Sequence, residues 1–236
     1  MKIIRLAVAI FVFLQSYAYA GKKALIWDDT ETLGTSNSQN ENYFFYTDNL
    51  GEKEGSYIFN FTYGYNDLTD VAINIPVGYL ESYENTYSDM ADPFVEVKYR
   101  FFDKNGVKFA IKPYLGYPIK KHSEFSEHHI SYGITLISQI DLEQFRMYAN
   151  SSYMVHKDRP LGEYEIFQSL SIEYNFTENF SVISSLYISS YGETEKGGLI
   201  GIGYSKGKVE IGLGIGKMFN LENNYSIYSG ITFRFF

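Results

Sequence analysis

The feature that most constrains this chain is an alternation with a period of two that recurs along most of its length. Tyr57, Phe59, Phe61, Tyr63 and Tyr65 alternate with Ile58, Asn60, Thr62 and Gly64. Val71, Ile73, Ile75, Val77 and Tyr79 alternate with Ala72, Asn74, Pro76 and Gly78. Val95, Val97, Tyr99 and Phe101 alternate with Glu96, Lys98 and Arg100, and Val209, Ile211, Leu213 and Ile215 with Glu210, Gly212, Gly214 and Gly216. Successive side chains of a strand point to opposite faces, so each run is a strand with one apolar and one polar face. Twelve such segments are predicted, near 42–50, 56–65, 70–80, 93–102, 107–117, 129–140, 145–156, 164–175, 180–191, 198–205, 208–218 and 224–236. Most have about the 9–11 residues that a tilted membrane strand needs.

The identity of the two faces separates a membrane barrel from a soluble sandwich. The apolar face carries Tyr and Phe near strand ends and Val, Ile and Leu between them, as in a hydrocarbon band with aromatic girdles. Aromatics reach 18% of the chain through 23 Tyr and 19 Phe. The other face carries charge in strand after strand, whereas a sandwich would bury an uncharged face. The fold class expected is therefore all-β, a transmembrane antiparallel up-and-down β-barrel of about twelve strands. No later stretch is long and apolar enough for a membrane helix. The chain has no Cys, which removes disulfides and thiolate metal sites, and its net charge of −8 argues against nucleic acid as a partner.

The amino terminus has the layout of an export signal. Lys2 and Arg5 precede the apolar run 6–14, too short to span a bilayer, and Ala18-Tyr19-Ala20 supplies a small-x-small cleavage pattern. Residues 1–20 are read as a signal peptide, 21–41 as a periplasmic N-terminal segment and 42–236 as the barrel, located in the outer membrane of a Gram-negative cell. The segment ahead of the first strand is polar; it is compatible with a position at the mouth, with entry into the lumen as a plug, or with a loose tail.

Connections alternate in length. Those at 66–70, 103–106, 141–144, 177–179 and 206–208 are tight and polar, and between them fall longer linkers at 81–92, 119–128 and 157–163, with 192–197 somewhat shorter. Short turns at one end and long loops at the other are the outer-membrane pattern, and an even strand count returns both termini to the short-turn, periplasmic side. Lys104-Asn105-Gly106 suits a three-residue hairpin, which keeps Lys98 and Lys112 on one face. The closing Ile231-Thr232-Phe233-Arg234-Phe235-Phe236 resembles the signal by which outer-membrane proteins engage the barrel-assembly machinery.

Trp27-Asp28-Asp29-Thr30-Glu31-Thr32-Leu33-Gly34 stands ahead of the first strand. It is followed by Tyr63-Gly64-Tyr65-Asn66-Asp67-Leu68-Thr69-Asp70 before Val71-Ala72-Ile73-Asn74-Ile75-Pro76, by Phe94-Val95-Glu96-Val97-Lys98-Tyr99-Arg100-Phe101 and by Gly230-Ile231-Thr232-Phe233-Arg234-Phe235. In this order the motifs resemble the outer-membrane transporter family named after the MetA pathway of phenol degradation. The resemblance covers most of the chain and implies an outer-membrane barrel associated with passage of small organic molecules. It supplies no catalytic residues. The chain departs from the family pattern in the Asn/Ser-rich stretch 35–42 and in the extra Phe236.

Strand parity assigns the lumen. Glu96, Lys98, Arg100, Lys108 and Lys112 point inward on the fourth and fifth segments, and Arg146, Glu165, Glu173, Glu210 and Arg234 point inward elsewhere. A basic wall then faces Glu210 across the bore and orients dipolar or anionic solutes. The plainer reading is that Arg146 with Glu173, and Glu210 with Arg234, bridge neighbouring strands and narrow the lumen. Lys98 and Lys112 are cross-strand neighbours that repel unless Glu96 or an anion intervenes, which makes them the candidate anion contact. The Gly212, Gly214 and Gly216 face leaves room for a ligand or an inserted segment, or marks a sharply curved wall.

Other chemistry is weaker. His122, Glu124, Glu127, His128 and His129 share one predicted loop and are read as solvated rather than as metal ligands. The acidic loop residues Glu81, Glu84, Asp89 and Asp92 are read as a solvated charge run. Ser184 and Ser190 face outward with no His placed to join them. The expectation is an outer-membrane channel, not an enzyme and without a cofactor, passing small organic or anionic solutes by passive diffusion. The rival is a closed structural or adhesive barrel acting through its loops. The partners expected are outer-membrane lipid and lipopolysaccharide, the barrel-assembly machinery and a small-molecule solute.

Overall fold

The computed structural model describes residues 28–49, 52–81, 85–119, 125–126, 129–155, 164–191, 193–219 and 224–235. The signal-peptide assignment at 1–20 lies outside the described residues. Thirteen strands run among them: β1 (Ser38–Asn49), β2 (Glu52–Asn66), β3 (Thr69–Glu81), β4 (Thr86–Met90), β5 (Phe94–Lys104), β6 (Val107–Gly116) and β7 (Ser131–Leu142). The series continues through β8 (Phe145–Val155), β9 (Tyr164–Asn175), β10 (Phe180–Tyr191), β11 (Glu193–Lys206), β12 (Val209–Met218) and β13 (Asn224–Phe235).

All pairings are antiparallel, and the ring closes where β1 meets β13, with Ser38 opposite Phe235 and Asn49 opposite Asn224. The strand beyond the expected twelve is β4. It pairs with the upper half of β3, Val77 opposite Met90, while β5 pairs with the lower half, Thr69 opposite Tyr99. The pair therefore fills one position of a twelve-stranded barrel, interrupted at 91–93. Pro93, which cannot donate a backbone hydrogen bond, stands in that break.

Several boundaries differ from the sequence reading. The barrel begins at Ser38, not 42, because the Asn/Ser-rich stretch continues the ladder with β13. β2 starts at Glu52 and β11 at Glu193, so the supposed linker at 192–197 is mostly strand. The turn after β5 has two residues, with Lys104 opposite Val107 and both Asn105 (φ 54°) and Gly106 (φ 75°) left-handed. A two-residue turn alone would invert the faces. A bulge between Arg100 and Phe102 adds the missing residue, so Lys98 and Lys112 share a face as the three-residue turn had implied.

The outer surface is apolar. Tyr57, Phe59, Phe61 and Tyr63 alternate with the buried Ile58, Asn60 and Thr62 along β2. At the short-turn end outward rings touch across strands, Phe102 with Phe109 (5.6 Å between centroids), Phe145 with Tyr174 (4.8 Å) and Phe180 with Tyr204 (4.7 Å), and Tyr174 also meets Phe176 of the following turn (4.7 Å). Ile73, Ile134, Ile172, Leu186, Ile200 and Leu213 carry the band above them. Such a belt is stable against hydrocarbon and not against water.

Candidate functional site: a lumen occupied by its own amino-terminal segment

All ten charged residues assigned to the lumen by parity lie on inward strand faces, and the chain itself supplies the anion that the basic wall demands. Before β1, residues Asp28–Asn37 fold back into the bore from the short-turn end. At the mouth the segment is stitched to the β2–β3 turn. The Thr35 amide and hydroxyl donate to Asp67 Oδ1 (3.1 and 2.8 Å), and the Thr32 hydroxyl donates to the Asp67 carbonyl (2.8 Å). The Leu33 amide donates to both carboxylate oxygens of Asp70 (3.1 and 3.2 Å). Ser36 N–H reaches the Gly64 carbonyl, and Gly64 N–H the Asn37 carbonyl, each at 2.8 Å. This approach is possible only at a glycine: a Cβ on Gly64 would lie 2.0 Å from the Gly34 carbonyl oxygen.

Deeper in the bore the segment meets β5–β8. The Thr30 side chain is fully buried; its amide and hydroxyl donate to Gln139 Oε1 (3.0 and 2.9 Å). The Asp28 amide donates to Asn150 Oδ1 (3.3 Å). Lys98 Nζ lies 3.0 Å from Asp28 and 3.1 Å from Asp29, and it also donates to the Glu31 carbonyl at 3.2 Å. The second oxygen of Asp28 pairs with Lys112, which also holds Glu96 at 2.9 Å. Arg100 lies 3.1 Å from Glu31, and Lys108 pairs with both Glu31 and Asp141 (2.8 Å to the latter). The repulsive Lys98–Lys112 pair is thus bridged by one carboxylate, and Arg100 and Lys108 are joined by another three residues on. Charge-assisted bonds to side chains only 7–16% exposed are stronger than their surface counterparts. Burial pushes the Glu31 carboxyl up, but Lys108, Gln139 and Arg100 outweigh it and hold the group below its ordinary value of 4.5.

Across the bore the remaining lumenal charges bridge neighbouring strands. Arg146 stands directly opposite Glu173 in the ladder and lies 3.7 Å from it, with the Tyr148 hydroxyl donating to the same carboxylate at 2.5 Å. Arg234 lies 2.7 Å from Glu210. Glu165 is fully buried nearer the long-loop end and accepts from the Ser189 hydroxyl at 3.2 Å. A buried amide relay runs along the neighbouring strands β2, β3 and β5: Asn60 donates to Asn74 (2.8 Å), and Asn74 to Glu96 (3.0 Å).

Between the segment and the far wall lies a cavity of about 570 Å³. Gly201, Gly203, Gly212 and Gly230 line it, so of the glycine face expected at 212, 214 and 216 only Gly212 opens onto this space; a Cβ on Gly216 would lie 2.9 Å from the Tyr228 ring, and one on Gly214 would lie 3.3 Å from Leu199. Its lining is acidic: Asp28, Asp29, Glu31, Glu41, Asp70, Glu96, Glu173, Glu178 and Glu210 stand against Lys98, Lys112, Arg146 and Arg234. Above it Phe45, Leu199 and Tyr228 form a small buried apolar cluster, the Phe45 and Tyr228 rings 5.0 Å apart, on a wall that also buries Thr47, Ser185 and Ser226. From the long-loop end Phe125 lays its ring on Gly78. Asp92, assigned to a solvated charge run, is instead buried and accepts from the Ser126 hydroxyl (2.7 Å) and the Ile119 amide (3.2 Å). In the His loop, His122, Glu124, Glu127 and His128 lie outside the described residues, and His129 is exposed.

Asp28, Asp29, Glu31, Gln139 and Asp141 complete this cluster, and strand parity alone did not select them. Their signal was charge balance, since four lumenal cations on two adjacent strands had only Glu96 to neutralise them.

No family model and no curated protein matches the chain. Solved structures do. An outer-membrane channel from Pseudomonas putida F1 superposes with a TM-score of 0.75 at 12% identity, covering 89% of this chain and 100% of that one. The KdgM porin in complex with disordered oligogalacturonate gives 0.61 at 7% identity, covering 84% and 99%. The NanC porin gives 0.59 at 10% identity, covering 83% and 100%. At these identities the likeness shows the fold, that of bacterial outer-membrane barrels whose representatives here are channels and porins.

Proposed function

We propose that the protein is an outer-membrane channel for small hydrophilic solutes, with both termini on the periplasmic side. In this reading the docked segment narrows the bore to a passage beside the glycine wall. The observation that carries it is the charge-lined cavity of about 570 Å³ enclosed by a barrel with an apolar exterior. A partly open polar space of that size is on the scale that takes a small solute. The shared fold with channels and porins points the same way. Lys98 and Lys112, the anion contact expected for a free solute, are taken by Asp28. With the segment docked, the acidic excess of the lining gives passive diffusion a preference for cations and dipolar solutes over simple anions.

Single-channel recording of the protein refolded into a planar bilayer tests the proposal. The expected result is small, steady conductance with a reversal potential displaced toward cations in a salt gradient. A barrel that proves folded by its heat-dependent gel mobility and yet carries no current would overturn the channel. That outcome favours a closed structural barrel acting through its loops, which the inward packing of Phe125 and of the amino-terminal segment also supports.

A further inference from the structure

We propose that Lys98, Lys112, Arg100 and Lys108, with Gln139 and Asn150 beside them, form a binding site for linear acidic peptides entering from the short-turn end, and that Asp28–Glu31 is its built-in occupant. The proposal takes its direction of entry from the channel reading; the binding itself does not depend on current.

The argument rests on what the site recognises. Two features are read at once. The first is a pair of carboxylates three residues apart on one chain, each bridging two cations: Asp28 between Lys98 and Lys112, Glu31 between Arg100 and Lys108. The second is peptide backbone. Gln139 accepts from the Thr30 amide, Asn150 accepts from the Asp28 amide, and Lys98 donates to the Glu31 carbonyl. A simple anion matches one fork and none of the backbone contacts. It must also compete with a tethered occupant whose effective concentration reaches roughly the millimolar range for a short link. A peptide of the pattern acid-acid-x-acid reproduces the carboxylate and backbone contacts, and Thr at x adds the hydroxyl bond to Gln139. Specificity thus comes from spacing and backbone recognition together, which separates this ligand class from halides, small carboxylates and neutral solutes.

The test uses full-length protein in detergent and a fluorescein-labelled, end-blocked peptide with the sequence of residues 27–34, read by fluorescence anisotropy. The D28N/D29N/E31Q variant, whose own segment no longer satisfies the cations, is expected to bind the peptide at least about tenfold more tightly than the wild-type chain. A control peptide with Asn, Asn and Gln at the acidic positions is expected not to bind. Adding K98Q/K112Q to the variant should abolish binding. Failure of the neutralised variant to bind, equal binding of the control peptide, or binding that survives K98Q/K112Q would overturn the proposal. If the triple variant does not fold, D28N/E31Q serves the same comparison, since it frees both forks and leaves Asp29 in place. A silent bilayer with intact anisotropy ends the channel reading and leaves the peptide site standing; current without peptide binding does the reverse.

Discussion

The wall of β5, β6 and β7 and the wall of β11, β12 and β13 stand six positions apart in a ring of twelve, and the same alternation builds both. Their inward residues make them opposites. The first presents Lys98, Arg100, Lys108, Lys112 and Gln139, long side chains that reach toward the axis and hold the amino-terminal segment. The second presents Gly201, Gly203, Gly212 and Gly230, which reach nowhere and leave the cavity. Without the glycines the segment would close the bore, and without the basic wall it would have nothing to hold it. The contrast teaches that passage and obstruction are set by inward residues alone, while the outward residues keep both walls in lipid.

The largest effect should come from breaking the contact that lets the segment reach the basic wall. A Gly64→Val substitution places side-chain atoms where the Gly34 carbonyl now sits, and a backbone group cannot move aside as a flexible side chain would. The strand pairs of β2 with β1 and β3 on either side of this position persist, so the barrel should survive. The expected outcome is a several-fold rise in conductance, a reversal potential moved toward anions as the basic wall is uncovered, and new protease cleavage near residue 30. Unchanged conductance with a folded barrel would mean that the segment does not limit the passage.

A smaller effect should follow from filling the bare wall. Gly203 lines the cavity, and a Cβ there would meet only the Ser181 hydroxyl at 2.7 Å, a group free to rotate. Gly203→Leu is expected to lower conductance while leaving the reversal potential where it was, because volume changes and charge does not. A shift in selectivity instead would show that the glycine wall acts on the field and not only on the width.

The sequence exposed these walls unevenly. Alternation gave the strands, the tight turns and the inward parity of every lumenal charge from Glu96 to Arg234, because a period of two survives any fold that keeps one face in lipid. It missed β4, a five-residue strand cut off by Ala91-Asp92-Pro93, and it misread the Asn105-Gly106 turn, because the compensating bulge at Phe101 leaves parity intact and so leaves no trace in the pattern. The adjacency of Lys98 and Lys112 was legible, since it follows from parity across one hairpin. So was one counter-ion, Glu96, which holds Lys112; the one that bridges both lysines was not. Asp28 is about 70 residues earlier in a segment with no periodicity, and only the unbalanced charge of the wall hinted at it. The face at Gly212, Gly214 and Gly216 was read as room or as curvature; only Gly212 opens onto the cavity, because Tyr228 and Leu199 pack over the other two.

The smallest effect concerns protons and sharpens the comparison on its basic side. Two anchors outside the strands have carboxyls held below their ordinary values. Glu31 is held down against its own burial by Lys108, Gln139 and Arg100, and Asp67 by hydrogen bonds from the Thr35 hydroxyl and amide. A carboxyl whose value is lowered in the docked state stabilises docking above its undocked value, and that contribution fades as pH falls through the docked one. The undocked values are 4.5 for Glu31 and 3.8 for Asp67. The part of docking carried by these two carboxyls should therefore stay constant from pH 7 to about pH 5 and fade only below about 4.5, first through Glu31 and then through Asp67, with conductance rising as it does. Glu31→Gln should remove the first part of that rise. A transition nearer neutral pH that survives Glu31→Gln would place the controlling group on the strands, with Asp70, which holds the Leu33 amide at the mouth, the first to replace by Asn.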